Sequence, residues 1–330
     1  MSEINNLTIL NQLDRLRLKE NPYSMHSLSE EDEITRRHYC SLLFMVLLSH
    51  GPICANQQRM LQLWLPTIGM EGRQAELCQL AMKLEQDGLE EVINALRDVG
   101  GNDSFMLDCL IFTRVKEPLT QQQIVLLENL AFFLDIDQPQ METIVYAACL
   151  VLGLPVGEKK ASELTLGIHC MSVWREFLDD YIELLFLGLR EWAENNDLES
   201  KIPWDKNRLG NTSELNIYSY GYSYDWEYIT PFPAGLSLLE NLETLNFNSY
   251  KITIFPHASI LPKNIREINI GDYGGVNTIP SSISQLKKLK KLQIQSSYLK
   301  NIPEKVLLFL QKNNIEHNIN DSCFIKGPKR

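Results

Sequence analysis

The sequence predicts an all-α N-terminal bundle followed by a short α/β solenoid with a parallel β-sheet on its concave face. The first observation behind this prediction is the regular spacing of four prolines, at steps of 23, 24 and 23 residues: Pro233, Pro256, Pro280 and Pro303. The second is that residues 35–154 carry apolar residues at helical spacing, interrupted by turn signals such as Gly51-Pro52. Two different periodicities in one chain indicate two different architectures.

The repeats place apolar residues at matching positions before each proline. The three complete copies read Leu242-x-x-Leu245-x-Phe247, Ile265-x-x-Ile268-x-Ile270 and Leu289-x-x-Leu292-x-Ile294. Every second residue of a strand points inward, and one repeat cannot cover these side chains alone, so neighbouring repeats must stack. A degenerate first copy starts at Leu215-x-Ile217. The last strand is predicted at Ile315-x-His317, 23 residues after Leu292.

These repeats resemble the short leucine-rich repeats of bacterial proteins, in which an Ile-Pro step ends each unit. The resemblance covers residues 209–320 and implies a solenoid whose concave face is presented to partners. One departure concerns the asparagine that this family usually has in the loop after the strand. Tyr250, Tyr273 and Ser297 occupy that position here, so the family's ladder of loop amides is not expected.

Strand alternation also predicts which side chains face outward on the concave side. This row is polar, with an amide at each central strand position, and amides both donate and accept hydrogen bonds. Such a surface suits a peptide backbone or another polar surface, and it provides no nucleophile. The candidate partner-binding residues are Asn246, Asn248, Asn269, Gln293 and Gln295. A face that is polar only for solubility is the competing interpretation.

An aromatic insertion interrupts the first repeat. Its aromatic residues alternate with small or acidic ones, and the candidate partner-binding residues among them are Tyr218, Tyr220, Tyr222, Tyr224 and Trp226. In an extended chain this spacing places them all on one face. Tyrosine and tryptophan are enriched in interface hot spots, which favours a partner site. The alternative is a structural cap that covers the first repeat where the helical part joins it.

The helical part resembles the tellurite-resistance TerB-like domain through a helix–turn–helix layout repeated at an offset of 66 residues. Gly51-Pro52-Ile53-x-x-x-Gln57 corresponds to Glu117-Pro118-Leu119-x-x-x-Gln123. Acidic residues at these positions imply a cation site in that family, whereas this chain has Gln57 and Gln123 in place of the two glutamates. A cation needs several oxygen ligands with negative charge among them, so no metal site is expected.

Two helices of this part begin with recognisable caps, Thr120-x-x-Gln123 and Asp137-x-x-Gln140. A further amphipathic helix is predicted between the two parts, with a buried stripe formed by Val173, Phe177, Tyr181, Leu184 and Trp192.

The predicted domains are therefore a helical extension at 1–34, the TerB-like domain at 35–154, a linker with a capping helix at 155–208, the repeats at 209–320 and a tail at 321–330.

Composition limits the classes of protein that the chain can belong to. With 330 residues, of which 44% are hydrophobic, it can bury two cores. No apolar run reaches the roughly 20 residues that span a bilayer, and the N-terminus lacks a secretory signal, so a cytoplasmic location is expected. Residues 1–234 carry a net charge of −17 and residues 235–330 a net charge of +6, which is too little to indicate nucleic-acid binding.

Motifs for catalysis are absent from the sequence. It contains no phosphate-binding glycine loop, no Gly-x-Ser-x-Gly elbow and no His-Glu-x-x-His, and its seven cysteines lack metal-ligand spacing. No catalytic residue, metal or cofactor is expected. The sequence predicts a non-catalytic interaction or adaptor protein of a bacterial multi-protein system, with a protein partner. The alternative is a ligand- or cation-sensing regulatory subunit, or an enzyme with a site in the helical domain.

Overall fold

The computed structural model describes residues 9, 12–14, 16–17, 23–49, 51–84, 86–115, 117–196, 198–218, 232–248, 254–271, 275–296, 299–300, 302–320 and 323–325. Residues 86, 87, 206, 207, 218, 248, 324 and 325 are described by their backbone alone. The chain forms two compact units, the first of Met1–Glu158 with Cys170–Tyr181 and the second of Lys159–His169 with Ile182–Arg330. The predicted combination of many helices with a parallel sheet is confirmed.

The first unit is helical. Within the described ranges its helices are α1 (Glu33–Leu48), α2 (Ala55–Trp64), α3 (Gln74–Met82), α4 (Gln86–Val99), α5 (Asn102–Arg114), α6 (Gln121–Phe133) and α7 (Gln138–Val151). Helix α5 packs against α1, α6 and α7, and α1 also packs against α3 and α4. Every residue from Asp103 to Thr113 is buried, as is typical of a helix at the centre of a bundle.

Glutamines close the N-terminal ends of three helices in this unit. The predicted caps are confirmed, because the Thr120 backbone N–H donates to Gln123 at 2.8 Å and that of Asp137 donates to Gln140 at 3.0 Å. The Cys54 backbone N–H donates in the same way to Gln57, at 3.0 Å. Each glutamine satisfies a backbone donor that the first turn of a helix leaves without a partner.

The second unit contains the sheet. Its elements are the greater part of α8 (Asp179–Asn195), then α9 (Lys206–Gly210), β1 (Glu214–Tyr218), β2 (Thr244–Asn248), β3 (Glu267–Ile270), β4 (Lys291–Ile294), β5 (Ile302–Pro303), α10 (Glu304–Lys312), β6 (Glu316–His317) and β7 (Phe324–Ile325). The five-stranded parallel sheet has the order β1-β2-β3-β4-β6, and β5 pairs with β7. Short 3-10 turns at Ala234–Leu238, Ala258–Ile260 and Ser281–Gln285 lead from one strand to the next.

The strand register agrees with the repeat spacing. Leu245 pairs with Ile268, and Ile268 pairs with Leu292, on adjacent parallel strands. Each of these side chains is at most 1% exposed, as is Leu215 on β1. Burial alternates along β3 and β4, so the predicted inward positions are confirmed for these strands.

The last strand departs from the predicted register. Leu292 pairs with His317, and Ile315 lies buried just before β6 rather than opposite Leu292. The reason is the nine-residue helix α10, which replaces the shorter 3-10 turns of the preceding repeats. The chain therefore needs 14 residues from Pro303 to His317, two more than from Pro280 to Leu292.

A ladder of polar side chains connects the segments that precede the strands. The Asn241 amide donates to the Gly210 carbonyl at 2.7 Å, and the Asn264 amide donates to the Glu240 carbonyl at 2.9 Å. The Lys288 ammonium then donates to the Asn264 side-chain oxygen at 2.7 Å. The repeats are thus tied together before the strands. Tyr250, Tyr273 and Ser297, the predicted sites of the missing loop ladder, lie outside the described residues.

The predicted single helix is wrong in its first half, where Val173 is buried as predicted but Phe177 is exposed. Val173 and Phe177 belong to a 3-10 run, Ile168–Phe177, which is kinked at Met171, and α8 begins only at Asp179. A 3-10 helix has about three residues per turn, so the helical phase changes between the two segments. The buried residues of α8 are Tyr181, Leu185, Leu189, Trp192 and Ala193, whereas the predicted Leu184 is only part-buried.

Within the second unit, α8 packs closely on the repeats. A Cβ atom at Gly235 would collide with the carbonyl oxygen of Leu185 and lie 2.7 Å from the Cβ of Leu189. The Trp192 ring lies 5.9 Å from that of Phe232 and 6.3 Å from that of Phe247. The helix therefore covers apolar residues that the repeats leave uncovered.

Leu292→Asp is predicted to unfold the sheet, because it places a carboxylate at a fully buried position at a cost of several kcal/mol. Circular dichroism during thermal unfolding should show loss of a cooperative transition from the second unit. The control is Gln295→Asp, which introduces the same group at an exposed position just after β4. A cooperative transition that persists in Leu292→Asp would contradict the register.

Candidate protein-interaction surface

The outward side of the sheet carries a continuous polar surface. We call this surface the outer face and define it by Glu214, Asn216, Thr244, Asn246, Glu267, Asn269, Lys291, Gln293 and Glu316. These side chains are exposed or part-buried, while the residues between them on each strand point into the core. The parallel register aligns them in two rows, with Asn216, Asn246, Asn269 and Gln293 side by side in the central row.

The central row is itself hydrogen-bonded. The Asn269 amide donates to the Asn246 oxygen at 2.6 Å, and the Asn246 amide donates to the Asn216 oxygen at 2.6 Å. The Asn246 amide also donates to a carboxylate oxygen of Glu214 at 3.3 Å. The sequence predicted that these amides contact a partner but not that they bind one another. The signal was available, because amides at the same position of adjacent parallel strands are close enough to pair.

The ladder stops between β3 and β4. The Gln293 amide donates in the opposite direction, to Glu316 on β6, at 3.2 Å. The side-chain oxygen of Asn269 is buried and accepts no hydrogen bond from the residues that the structure describes. The outer face therefore consists of two hydrogen-bonded groups with an interruption at its centre.

Charge on the outer face is mainly negative. Glu214, Glu267 and Glu316 occupy one row together with a single cation, Lys291, which pairs in register with Glu267 and Glu316. No ion pair joins Lys291 or Glu267 to another group in the described part of the chain. The outer face is thus net negative, although residues 235–330 as a whole carry a positive net charge.

The structure brings only some of the predicted partner-binding residues together. Asn246, Asn269 and Gln293 lie in the central row, and Gln295 is exposed directly after β4. Tyr218 and Asn248 are the last residues of β1 and β2 and are described by their backbone alone. The remaining aromatic residues of the insertion, Tyr220, Tyr222, Tyr224 and Trp226, lie outside the described residues.

In the helical unit, a buried carboxylate organises a second polar cluster. Asp108 of α5 accepts a hydrogen bond from the Trp174 indole at 2.6 Å and from the Tyr39 hydroxyl of α1 at 2.8 Å. The His26 Nε2 lies 3.3 Å from the same carboxylate, and the four side chains are almost completely buried. The sequence does not predict this cluster, because its members are far apart in the chain and match no motif.

Hydrogen bonding fixes the roles of these groups. The Leu28 backbone N–H donates to His26 Nδ1 at 3.0 Å, so this nitrogen is an acceptor and Nε2 carries the proton. Burial and the Asp108 charge raise the pKa of the Tyr39 hydroxyl well above its usual value, so it remains a donor. The carboxylate is closed to solvent and accepts hydrogen bonds from α1 and from the segment that holds Trp174, so it ties these segments to α5.

Gln57 and Gln123, for which the sequence predicts no cation site, serve structural roles. Gln57 caps α2 and also donates to the Phe112 carbonyl at 3.0 Å, and Gln123 caps α6. Both are buried. Burial also raises the pKa values of the Cys40 and Cys109 thiols, which are therefore protonated. Among the described residues, no three His, Cys, Asp or Glu side chains are grouped so that they could hold a metal ion.

A short segment of the chain is similar to part of a known protein. A stretch of 75 residues is 35% identical to part of a mouse protein named leucine-rich repeat serine/threonine-protein kinase 1. The match covers 23% of this chain and 4% of the length of the kinase. No family model matches the chain, and no solved structure does. None of the helices that the structure describes has the length and apolar character needed to cross a membrane.

Asp103 in the first turn of α5 is expected to make stability depend on pH. Burial raises the pKa of its carboxyl to about 7, and the neighbouring Asp137 adds to the rise. An unfolded chain would ionise this group near pH 4. The folded state keeps the proton up to about pH 7, so the stabilisation is complete below pH 4 and is lost as the pH rises through 7.

Asp103→Asn should remove this loss, which amounts to about 1.4 kcal/mol for each unit between the two pKa values. Urea unfolding at pH 4 and pH 8 should show a smaller fall in the free energy of unfolding for the variant than for the parent chain. Glu142→Gln, at an exposed position of α7, serves as the control. Equal pH dependence of Asp103→Asn and the parent would refute the assignment.

Proposed function

We propose that this chain is a non-catalytic adaptor whose second unit is a leucine-rich-repeat solenoid that binds a protein partner through its outer face. The observation that carries the proposal is the register of Leu245, Ile268 and Leu292 on adjacent strands, with polar residues aligned on the opposite side. Stacked repeats of 20 to 30 residues with an inward leucine row are typical of this architecture, which presents its sheet to partners.

Three further observations support the proposal. The similarity to a segment of a leucine-rich-repeat kinase agrees with the repeat assignment. The outer face is broad and polar, and it carries side chains that both donate and accept hydrogen bonds, as a protein partner requires. The buried carboxylate of the helical unit accepts hydrogen bonds from Tyr39 and Trp174 and has the His26 ring beside it, so it suits a scaffold better than an enzyme.

The helical unit is proposed to be a TerB-like scaffold without a cation, which joins the repeats to a larger bacterial assembly in the cytoplasm. Gln57 and Gln123 support the loss of the cation, because both are occupied in caps and carry no charge. The partner-binding region would extend from the central row to the aromatic insertion at Tyr220, Tyr222, Tyr224 and Trp226.

Asn246→Arg tests the proposed surface, because it places a long cation in the centre of the amide ladder while leaving the core unchanged. Affinity capture from a native lysate, quantified by mass spectrometry, should recover a specific partner with the parent chain and at least tenfold less of it with the variant. Ser284→Arg lies on the side of the 3-10 turns and provides the matched control.

The captured protein is then purified and titrated against each chain by calorimetry. Equal affinity of Asn246→Arg and the parent chain would exclude the outer face as the binding surface. Tyr222→Ala combined with Trp226→Ala examines the aromatic insertion in the same assay.

A further inference from the structure

The hydrogen bonds of the outer face have a fixed direction. The Glu214 carboxylate only accepts, so the Asn246 amide nitrogen must face β1 and its oxygen must face β3. Asn269 must therefore donate to Asn246, as it does at 2.6 Å. This leaves the Asn269 oxygen directed away from Asn246 and without a donor.

The opposite edge of the sheet imposes the opposite direction. Glu316 on β6 also only accepts, and it binds the Gln293 amide nitrogen at 3.2 Å. The Gln293 oxygen receives no hydrogen bond from any described residue. Glu214 and Glu316 thus orient the amides from the two ends of the row. As a result, Asn269 on β3 and Gln293 on β4, which pair in register, each have an amide oxygen without a donor among the described residues.

An unused carboxylate lies beside these oxygens. Glu267 is two residues before Asn269 on the same side of β3, and it forms no ion pair in the described part of the chain. The buried Asn269 oxygen is costly to leave without a donor. A charged donor provides the strongest replacement. We call the group of Glu267, Asn269 and Gln293 the acceptor cluster.

We propose that the acceptor cluster binds an arginine side chain of the protein partner, an inference that rests on the proposed function and specifies the chemistry of its central contact. A guanidinium presents five N–H donors in a planar fork, which suits two amide oxygens and one carboxylate. A backbone N–H would satisfy only one of them. The net negative charge of the outer face attracts such a cation, while Lys291 next to the cluster opposes it.

Hexa-arginine serves as the probe, with hexa-citrulline as its neutral analogue of nearly the same shape. Calorimetric titration of the full chain at low salt should show binding of hexa-arginine and none of hexa-citrulline. Glu267→Gln should weaken binding about tenfold, the effect of losing one charge-assisted contact. Gln293→Met, which leaves the charge unchanged, should weaken it several-fold. Lys291→Met should strengthen it by removing the repelling cation.

Glu199→Gln is the matched control, because it removes the same charge from an exposed position outside the sheet and should leave the affinity unchanged within twofold. Thermal unfolding of each variant verifies that it folds like the parent chain. Equal weakening by Glu199→Gln and Glu267→Gln, or binding of hexa-lysine as tight as that of hexa-arginine, would overturn the proposal. If the captured partner still depends on Asn246 in that case, the proposed function stands and only the arginine contact fails.

Discussion

The second unit depends on the burial of one row of aliphatic side chains, formed by Leu215, Leu245, Ile268 and Leu292. Because side chains alternate along a strand, burying this row decides the direction of every other residue in the sheet. A shift of one residue in any strand would direct an amide into the core and a leucine to solvent. The hydrophobic free energy of the row therefore also fixes the positions of the polar groups on the outer face.

The outer face then acquires its properties from a small number of charged groups. Glu214 and Glu316 stand near opposite edges of the sheet, and as pure acceptors they direct the amides beside them. Each amide sets the direction of the hydrogen bond made by the next amide in the row. The two edge carboxylates therefore determine that the hydrogen bonds are interrupted between Asn269 and Gln293. The helical unit uses the same principle differently, since its acceptor Asp108 is surrounded by donors and closed to solvent.

The sequence predicted the parts of the fold that are periodic or local. The strands of the complete repeats followed from the 23- to 24-residue step, and the caps at Thr120 and Asp137 followed from residues only three positions apart. The last strand was predicted in the correct segment, but its pairing with β4 differs by two residues, because α10 lengthens the preceding segment without changing the apolar pattern. The stripe was wrong at Phe177 because a 3-10 run precedes α8, and a change of helix type leaves little trace in the sequence.

For the candidate site, the sequence indicated which amides form the central row but not how they are hydrogen-bonded. Whether the Asn269 side-chain oxygen accepts a hydrogen bond depends on the orientation of the neighbouring amides, and no residue pattern predicts that orientation. The cluster around Asp108 was missed for a related reason, since His26, Tyr39 and Trp174 meet only through tertiary packing.

Solution NMR of the chain with methyl-labelled leucine and isoleucine tests the central claim most directly. The account predicts nuclear Overhauser contacts between Leu245 and Ile268 and between Ile268 and Leu292, together with slow amide exchange in β2, β3 and β4. Absence of these contacts in a folded chain, or contacts that join Leu245 to outward-facing neighbours, would contradict it.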